Sequence, residues 1–127
     1  MPRSAGSTPN APAPAGPYSQ CVRAGSTVIC AGQGGHALDG TLATGIAEQT
    51  EQCLANVLAA LAACGAAESD VVKVGVYLTD VAHFAAMNEV YARVFREPYP
   101  VRTTVYVGLP PGMLIEVDAI AAVDVAR

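Results

Sequence analysis

Two charged residues stand in otherwise strand-like stretches near the end of this 127-residue chain. Arg102 opens one β-rich run, and Glu116 lies between Ile115 and Val117 in a second. Charged side chains are rarely buried without a partner or a task. A guanidinium binds a planar carboxylate through two parallel hydrogen bonds, and a carboxylate can orient or deprotonate a water. If both face one cleft, the pair indicates hydrolysis of a small organic acid.

The distance between the two charges depends on how their strands pair. If the runs form a hairpin centred on Pro110, Thr104 lies opposite Glu116, and Arg102 becomes its diagonal neighbour at about 7–8 Å. Each charge also has a plainer interpretation, and the residues alone do not decide. Arg102 can be a solvated side chain that pairs loosely with Glu97. Glu116 can be an edge-strand charge that opposes aggregation.

Three further side chains are candidates for the same cleft. Tyr18, in a Gly-Pro-Tyr turn, can donate a phenolic hydrogen bond to a ligand or simply pack. Asn88 falls on the apolar stripe of a predicted helix, where an Asn more often satisfies nearby backbone. Thr104 presents its hydroxyl on the same strand face as Arg102. None of the three is specific alone.

The composition limits the classes of protein. Apolar residues make up 52% and charged residues only 14%, which leaves a wide apolar surface for a second subunit to cover. A net charge of −4 with scattered basic residues argues against nucleic-acid binding. No apolar run reaches the roughly 18 residues that indicate a membrane span. The N-terminus has no apolar signal core, so we expect a cytoplasmic location.

The four cysteines and two histidines do not indicate a disulfide or a metal site. Cys53 and Cys64 fall on one predicted helix, about 16 Å apart at roughly 1.5 Å per residue, which exceeds disulfide reach. His36 and His83 form no ligand cluster with the cysteines. We expect reduced thiols in the core and no bound metal.

Residues 1–12 form a Pro/Ala-rich segment that predicts a flexible tail, and residues 13–127 predict a single domain. Hydrophobic spacing and turn signals predict seven elements in the order β-β-α-β-α-β-β. They are strands at Cys21–Ala24, Thr27–Ala31 and Val71–Leu78, helices from Thr44 to about Cys64 and from Asp80 to about Arg96, and the two charged runs. Two helices on one face of a mixed sheet make a two-layer α+β sandwich.

Several segments, taken in order, resemble the RidA (YjgF) family over about residues 11–125. They are residues 13–20 (APAGPYSQ), 31–33 (AGQ), 52–57 (QCLANV), 100–103 (PVRT), 108–110 (GLP) and 115–121 (IEVDAIA). The resemblance implies a chorismate-mutase-like fold and a homotrimer with clefts between subunits. It also implies cofactor-free hydrolysis of reactive enamines and imines, such as 2-aminoacrylate and 2-iminopropionate, to 2-oxo acids and ammonia.

The resemblance further implies a role for individual residues. Arg102 matches the arginine that binds the substrate carboxylate, and Glu116 matches the glutamate associated with water. The matched substrate-binding positions are Tyr18, Ala31, Gly32, Asn88 and Thr104.

The chain departs from archetypal members around the expected pocket. Ala31 stands where many have Ser, Thr104 stands where they often have Cys, and Gly34-Gly35 replaces a bulkier pair. The retained Arg/Glu pair favours retained deaminase chemistry. The altered wall motivates an alternative, a non-catalytic protein that binds 2-oxo acids or related metabolites. A holdase-like protein that uses apolar surface is a second alternative. An RNA-directed inhibitor of translation is disfavoured by the acidic balance.

Overall fold

A mixed six-stranded sheet with two helices on one face forms the framework, and the computed structural model describes residues 2–124. The elements are β1 (Ser4–Gly6), β2 (Cys21–Ala24), β3 (Thr27–Gln33), α1 (Ile46–Ala62), β4 (Val71–Leu78), α2 (Phe84–Val94), β5 (Val101–Tyr106) and β6 (Ile115–Ala122). The strand order is β1-β2-β3-β6-β4-β5, in which only β4 and β5 are parallel. The predicted two-layer α+β class is confirmed.

The ends of the elements follow local sequence signals. Gly25 adopts a φ of 61° in the β2–β3 turn, and Gly65 adopts 85° just beyond α1, a conformation that favours glycine. Helix α1 is capped by Gly45 without a side-chain bond, where we expected Thr44. The Asp80 carboxylate accepts the Ala82 N–H at 2.9 Å. It therefore starts a short 3-10 turn at 81–83 that leads into α2.

The core lies between the helices and the sheet. Leu54, Val57 and Leu61 of α1 are fully buried, as are Val74 and Val76 of β4. Burying each such side chain contributes about 1.5–3 kcal/mol before the entropy of ordering is subtracted. This packing fixes the helix layer on one side of the sheet.

The segment expected to be a tail contributes a strand. Ser4–Gly6 pairs with β2 as the edge strand β1, and Ala11 is 97% buried. The Gln20 amide holds the following turn by donating to the carbonyls of Thr8, Ala11 and Pro12 at 2.9–3.2 Å. A Pro/Ala-rich sequence shows no apolar alternation, so it does not predict a strand. The bonds to Gln20 could not be predicted either, because that residue lies outside the segment.

The expected β5–β6 hairpin is wrong, because β4 lies between those two strands. The chain leaves β4, crosses through α2 and returns as the parallel strand β5 on the outer side of β4. A parallel return needs such a helical crossover, whereas β6 then pairs antiparallel with the other edge of β4. The diagonal contact between Arg102 and Glu116 does not exist.

The sheet face opposite the helices is open in the chain described. Ile29, Val105 and Ile120 are each 37–42% exposed on it. Polar pairs lie among them: Tyr77 donates to Asp118 at 3.0 Å, and the Lys73 ammonium donates to the Thr103 hydroxyl at 3.0 Å. None of the helices within residues 2–124 has the length and apolarity of a bilayer crossing. The cytoplasmic location stays a prediction.

Candidate functional site

Arg102 lies at the start of β5, on the face of the sheet that the helices cover. It is paired with the buried Val74 of β4. Its guanidinium carbon is 4.7 Å from the ring centre of Tyr91 and 5.6 Å from that of Phe84. Nη1 lies 3.9 Å from the Met87 sulfur. Such aromatic contacts hold a guanidinium without using its hydrogen-bonding fork.

No carboxylate occurs among the described contacts of Arg102, and the expected loose pair with Glu97 is absent from them. Burial raises the pKa of Tyr91 to about 12, so its ring stacks on the cation as a neutral phenol. The Tyr91 hydroxyl is buried and lacks a hydrogen-bond partner within residues 2–124. The aromatic rings therefore orient Arg102, and its guanidinium has no carboxylate partner within residues 2–124.

A cavity of about 460 Å³ adjoins this guanidinium. It is lined by Asn88, Tyr91, Ala92, Tyr99, Pro100 and Arg102. Asn88 is half-buried on α2, and its amide makes no hydrogen bond within the described part of the chain. Thr104 shares the strand face of Arg102 but does not line this cavity.

Glu116 occupies the opposite face of the sheet. It is paired with Tyr77 of β4 and projects on the open side, between the buried Ile115 and Val117. Burial raises the pKa of its carboxyl, and the charge of Asp118 raises it further. A carboxyl with a raised pKa is a better proton acceptor near neutral pH than an ordinary glutamate.

The backbone beside Glu116 is adapted to its carboxylate. The β3–β6 register breaks between Cys30 and Gln33, which places Ala31 and Gly32 in an irregular segment. A Cβ atom at Gly32 would touch Oε2 of Glu116 and lie 2.9 Å from its Cδ. Glycine is therefore required for the carboxylate to occupy this position.

A second cavity, of about 540 Å³, contains Glu116. Its wall combines turn residues, a glycine-rich loop and the β5–β6 connection: Pro12, Ala13, Ala15, Tyr18, Gly32, Gln33, Gly34, His36, Ala37, Leu38, Gly40, Pro110, Pro111, Met113 and Glu116. The Tyr18 hydroxyl accepts the Ala15 N–H at 2.9 Å, so its own proton can be donated to a ligand.

The sequence-derived candidates thus divide into two groups within one chain. Tyr18, Gly32 and Glu116 share one cavity, and Ala31 adjoins it without lining it. Arg102 and Asn88 share the other cavity, with Thr104 nearby on β5. Residues 2–124 contain no cluster of three metal-binding side chains.

Two buried amides position the Glu116 cavity, and the sequence analysis missed both. The Gln49 amide donates to the carbonyls of Ala43 and Gly112 at 2.8 and 2.9 Å, and its oxygen accepts the Leu114 N–H at 2.8 Å. The Asn56 amide donates to the carbonyls of Gly34 and His36 at 3.0 and 2.8 Å. Gln49 and Asn56 are seven positions apart, so they lie on the same face of the amphipathic helix α1. That spacing relative to the apolar residues could have identified them as buried.

The fold and the two cavities define a two-layer α+β protein with two small-molecule-sized cavities. A family model described as Endoribonuclease L-PSP matches residues 8–123. The chain is 40% identical over 121 residues to the 2-iminobutanoate/2-iminopropanoate deaminase of Dermatophagoides farinae, covering 93% of this chain and 94% of that protein. The chain belongs to the RidA (YjgF) family.

Solved structures agree with this assignment. The crystal structure of RidA from an Antarctic Psychrobacter species superposes with a TM-score of 0.91 at 40% identity, covering 94% of this chain and 99% of that one. The structure of E. coli TdcF with bound serine gives a TM-score of 0.89 at 36% identity, covering 94% and 98%. That relative therefore binds a small molecule, serine.

Proposed function

We propose that this protein hydrolyses reactive 2-imino acids and their enamine tautomers to 2-oxo acids and ammonia, without a cofactor. The Glu116 carboxyl carries the proposal, because it combines a raised pKa with a place in a cavity that Tyr18 also lines. The unpaired, aromatic-held guanidinium of Arg102 adds an anchor for the acid. The deaminase name of a relative that spans almost the whole chain supports the same reaction.

The two cavities lie on opposite faces of one sheet, so a small substrate in a single chain cannot touch both Arg102 and Glu116. We propose a homotrimer in which the Arg102 side of one subunit closes the Glu116 cavity of the next. A head-to-tail contact of this kind closes into a ring. The open, partly apolar sheet face supports such association. One subunit would contribute Arg102, Asn88 and Thr104, and its neighbour Tyr18, Ala31, Gly32 and Glu116.

The reaction then follows from ordinary carbonyl chemistry. Arg102 binds the substrate carboxylate through two charge-assisted hydrogen bonds and fixes the C=N carbon. Glu116 accepts a proton from a water as that water attacks this carbon, which gives a carbinolamine. Glu116 returns this proton to the nitrogen and then transfers the hydroxyl proton of the carbinolamine to the amino group, so that the C–N bond breaks and ammonia leaves as the C=O bond forms. Imines already hydrolyse in water, so positioning supplies much of the acceleration.

The direct test generates 2-aminoacrylate enzymatically and follows release of pyruvate and ammonia. The wild-type protein should exceed the spontaneous rate, and Arg102→Ala should lose most of that excess while its circular dichroism is retained. A wild-type rate equal to the spontaneous one would overturn the proposal. Undiminished turnover by Arg102→Ala would remove the proposed anchor.

A second candidate is a protein that binds 2-oxo acids without turning over any imine. The observation that favours it is Ala31, which brings no hydroxyl to the irregular segment beside Glu116. Calorimetry with pyruvate and the imine assay separate the two, since binding without turnover selects this candidate. The alternatives of a holdase and of RNA binding predict activities indifferent to Arg102 and Glu116, and a net charge of −4 disfavours the latter.

A further inference from the structure

The cavity that contains Glu116 extends beyond this carboxylate to a histidine that the proposed reaction does not use. Its volume of about 540 Å³ lies in the range of pockets for drug-sized ligands, far more than a three-carbon imino acid fills. His36 also lines this cavity, as do the apolar side chains of Leu38 and Met113. The space that a three-carbon substrate leaves unfilled is therefore bordered by apolar side chains and by one imidazole ring.

The His36 ring lies on the same wall as the Glu116 carboxylate. Gly34 lies between the buried Gln33 and Gly35 and is itself only partly buried, and Gly32 is exposed. The Cβ direction of Gly32 meets Glu116, and that of Gly34 meets Nδ1 of His36 at 3.3 Å. Both groups line the same cavity.

The backbone at His36 is held in place by a buried amide of helix α1. The Asn56 amide, 99% buried, donates to the His36 carbonyl at 2.8 Å and to the Gly34 carbonyl at 3.0 Å. His36 also forms an isolated β-bridge with Leu42. Within residues 2–124 the ring nitrogens have no hydrogen-bond partner, so they are available to a ligand. An imidazole on a backbone held in this way, without a ring partner in the described chain, is suited to selecting among ligands.

We propose that His36 determines specificity by donating a hydrogen bond to an oxygen at the far end of the substrate side chain. The preferred substrates are then 2-imino acids whose side chains end in a carboxylate or carboxamide, the products of oxidising acidic and amide amino acids. This inference rests on the proposed imine hydrolysis. Met113, whose methyl group lies with the His36 ring against the Cβ direction of Gly34, supplies an apolar contact for the methylene groups of such a side chain.

The test compares His36→Phe, which keeps a ring but loses the donor, with His36→Gln, which keeps a donor. Two imines are generated by an amino-acid oxidase, from alanine and from glutamate. For the glutamate-derived imine, kcat/KM should fall about tenfold or more in His36→Phe and less in His36→Gln. For the alanine-derived imine it should change less than about twofold. Equal effects on both imines, or none on either, would overturn the inference.

A binding measurement keeps the two proposals separable. If the wild-type protein turns over neither imine, the proposed function fails, and calorimetry with 2-oxoglutarate and pyruvate still examines His36. The His36→Phe change should weaken 2-oxoglutarate binding about tenfold and leave pyruvate binding unchanged. Unaltered 2-oxoglutarate binding contradicts the role of His36. Turnover of the alanine-derived imine without any His36 effect contradicts the inference alone.

Discussion

Arg102 and Glu116 lie on opposite faces of one sheet, with β4 between the strands that carry them. Arg102 pairs with Val74 beneath the helices, and Glu116 pairs with Tyr77 on the open side. The Arg102 guanidinium is stacked on aromatic rings, and the Glu116 carboxylate lines a cavity together with Tyr18. Neither residue lies in the cavity of the other. Under the proposed function, an active site must therefore be completed by a second subunit.

Mixing two inactive variants tests whether the site is shared. Arg102→Ala and Glu116→Gln should each be inactive as pure oligomers. When the two are unfolded together and refolded, random mixing in a ring pairs an intact Arg102 with a neighbour's intact Glu116 at about one quarter of the sites. Imine hydrolysis should recover to about that fraction of wild type.

The control for this experiment is mixing of the two variants after separate refolding, which should recover activity only as fast as subunits exchange. Light scattering of the wild-type protein gives the oligomeric state independently. A stable monomer with full activity, or no recovery in the co-refolded sample, would show that the two residues do not complete one another.

Gly32 should be intolerant of even one added carbon. In Gly32→Ala the new Cβ would meet the Glu116 carboxylate and displace it, so imine hydrolysis should fall about tenfold or more. Gly108→Ala is the matched control, because a Cβ there meets no atom within 4 Å. Thermal unfolding should be similar in both variants. Equal activity in the two would mean that the carboxylate position is unimportant.

The acidic limb of the pH–activity profile should move to lower pH when the charge of Asp118 is removed. Under the proposed function Glu116 acts as a carboxylate, so kcat/KM should fall as the pH drops through its pKa. Burial and Asp118 both raise that pKa. In Asp118→Asn the pKa of Glu116 falls, and activity should persist to lower pH. Tyr77→Phe breaks the hydrogen bond to Asp118 but keeps the charge, so its limb should not move to lower pH.

Thiol reactivity should distinguish Cys64 from the other three cysteines. Burial raises the pKa of Cys30 to about 11 and raises the pKa values of Cys21 and Cys53 as well. Cys64 is only partly buried. A thiol reagent at pH 8 should therefore label at most one site in the native protein and all four in denaturant. Rapid native labelling of Cys64→Ser would contradict this.

The sequence was informative where structure is local. The bounds of β2 and β4 agree with the prediction because apolar alternation and flanking turns encode them directly. The position of β5 in the sheet could not be predicted in the same way. The strand with which β5 pairs is decided by the α2 crossover and not by the turn before β6. An apparent hairpin signal was therefore misleading.

In the candidate site, too, what depends on local sequence could be predicted and what depends on long-range packing could not. The grouping of Tyr18, Gly32 and Glu116 in one cavity agrees with the residues that the family resemblance selected. The separation of Arg102 from them could not be predicted, because it depends on the position of β4 between β5 and β6. The amide of Gln49 was missed because its partners, Gly112 and Leu114, lie more than sixty residues away.

Gln49 should be essential for stability, since it links the start of α1 to the β5–β6 connection. In Gln49→Met the volume is nearly kept, but three backbone groups lose their partner in a buried site. The free energy of unfolding in urea should fall by about 2–4 kcal/mol. Gln52→Met, which loses one bond to the Asn56 side chain, should cost less than about 1 kcal/mol. Because Gly112 and Leu114 flank Met113 in the cavity wall, Gln49→Met should also reduce imine hydrolysis at temperatures where it remains folded. Equal losses of stability in the two variants would show that the buried amide is not what holds the connection in place.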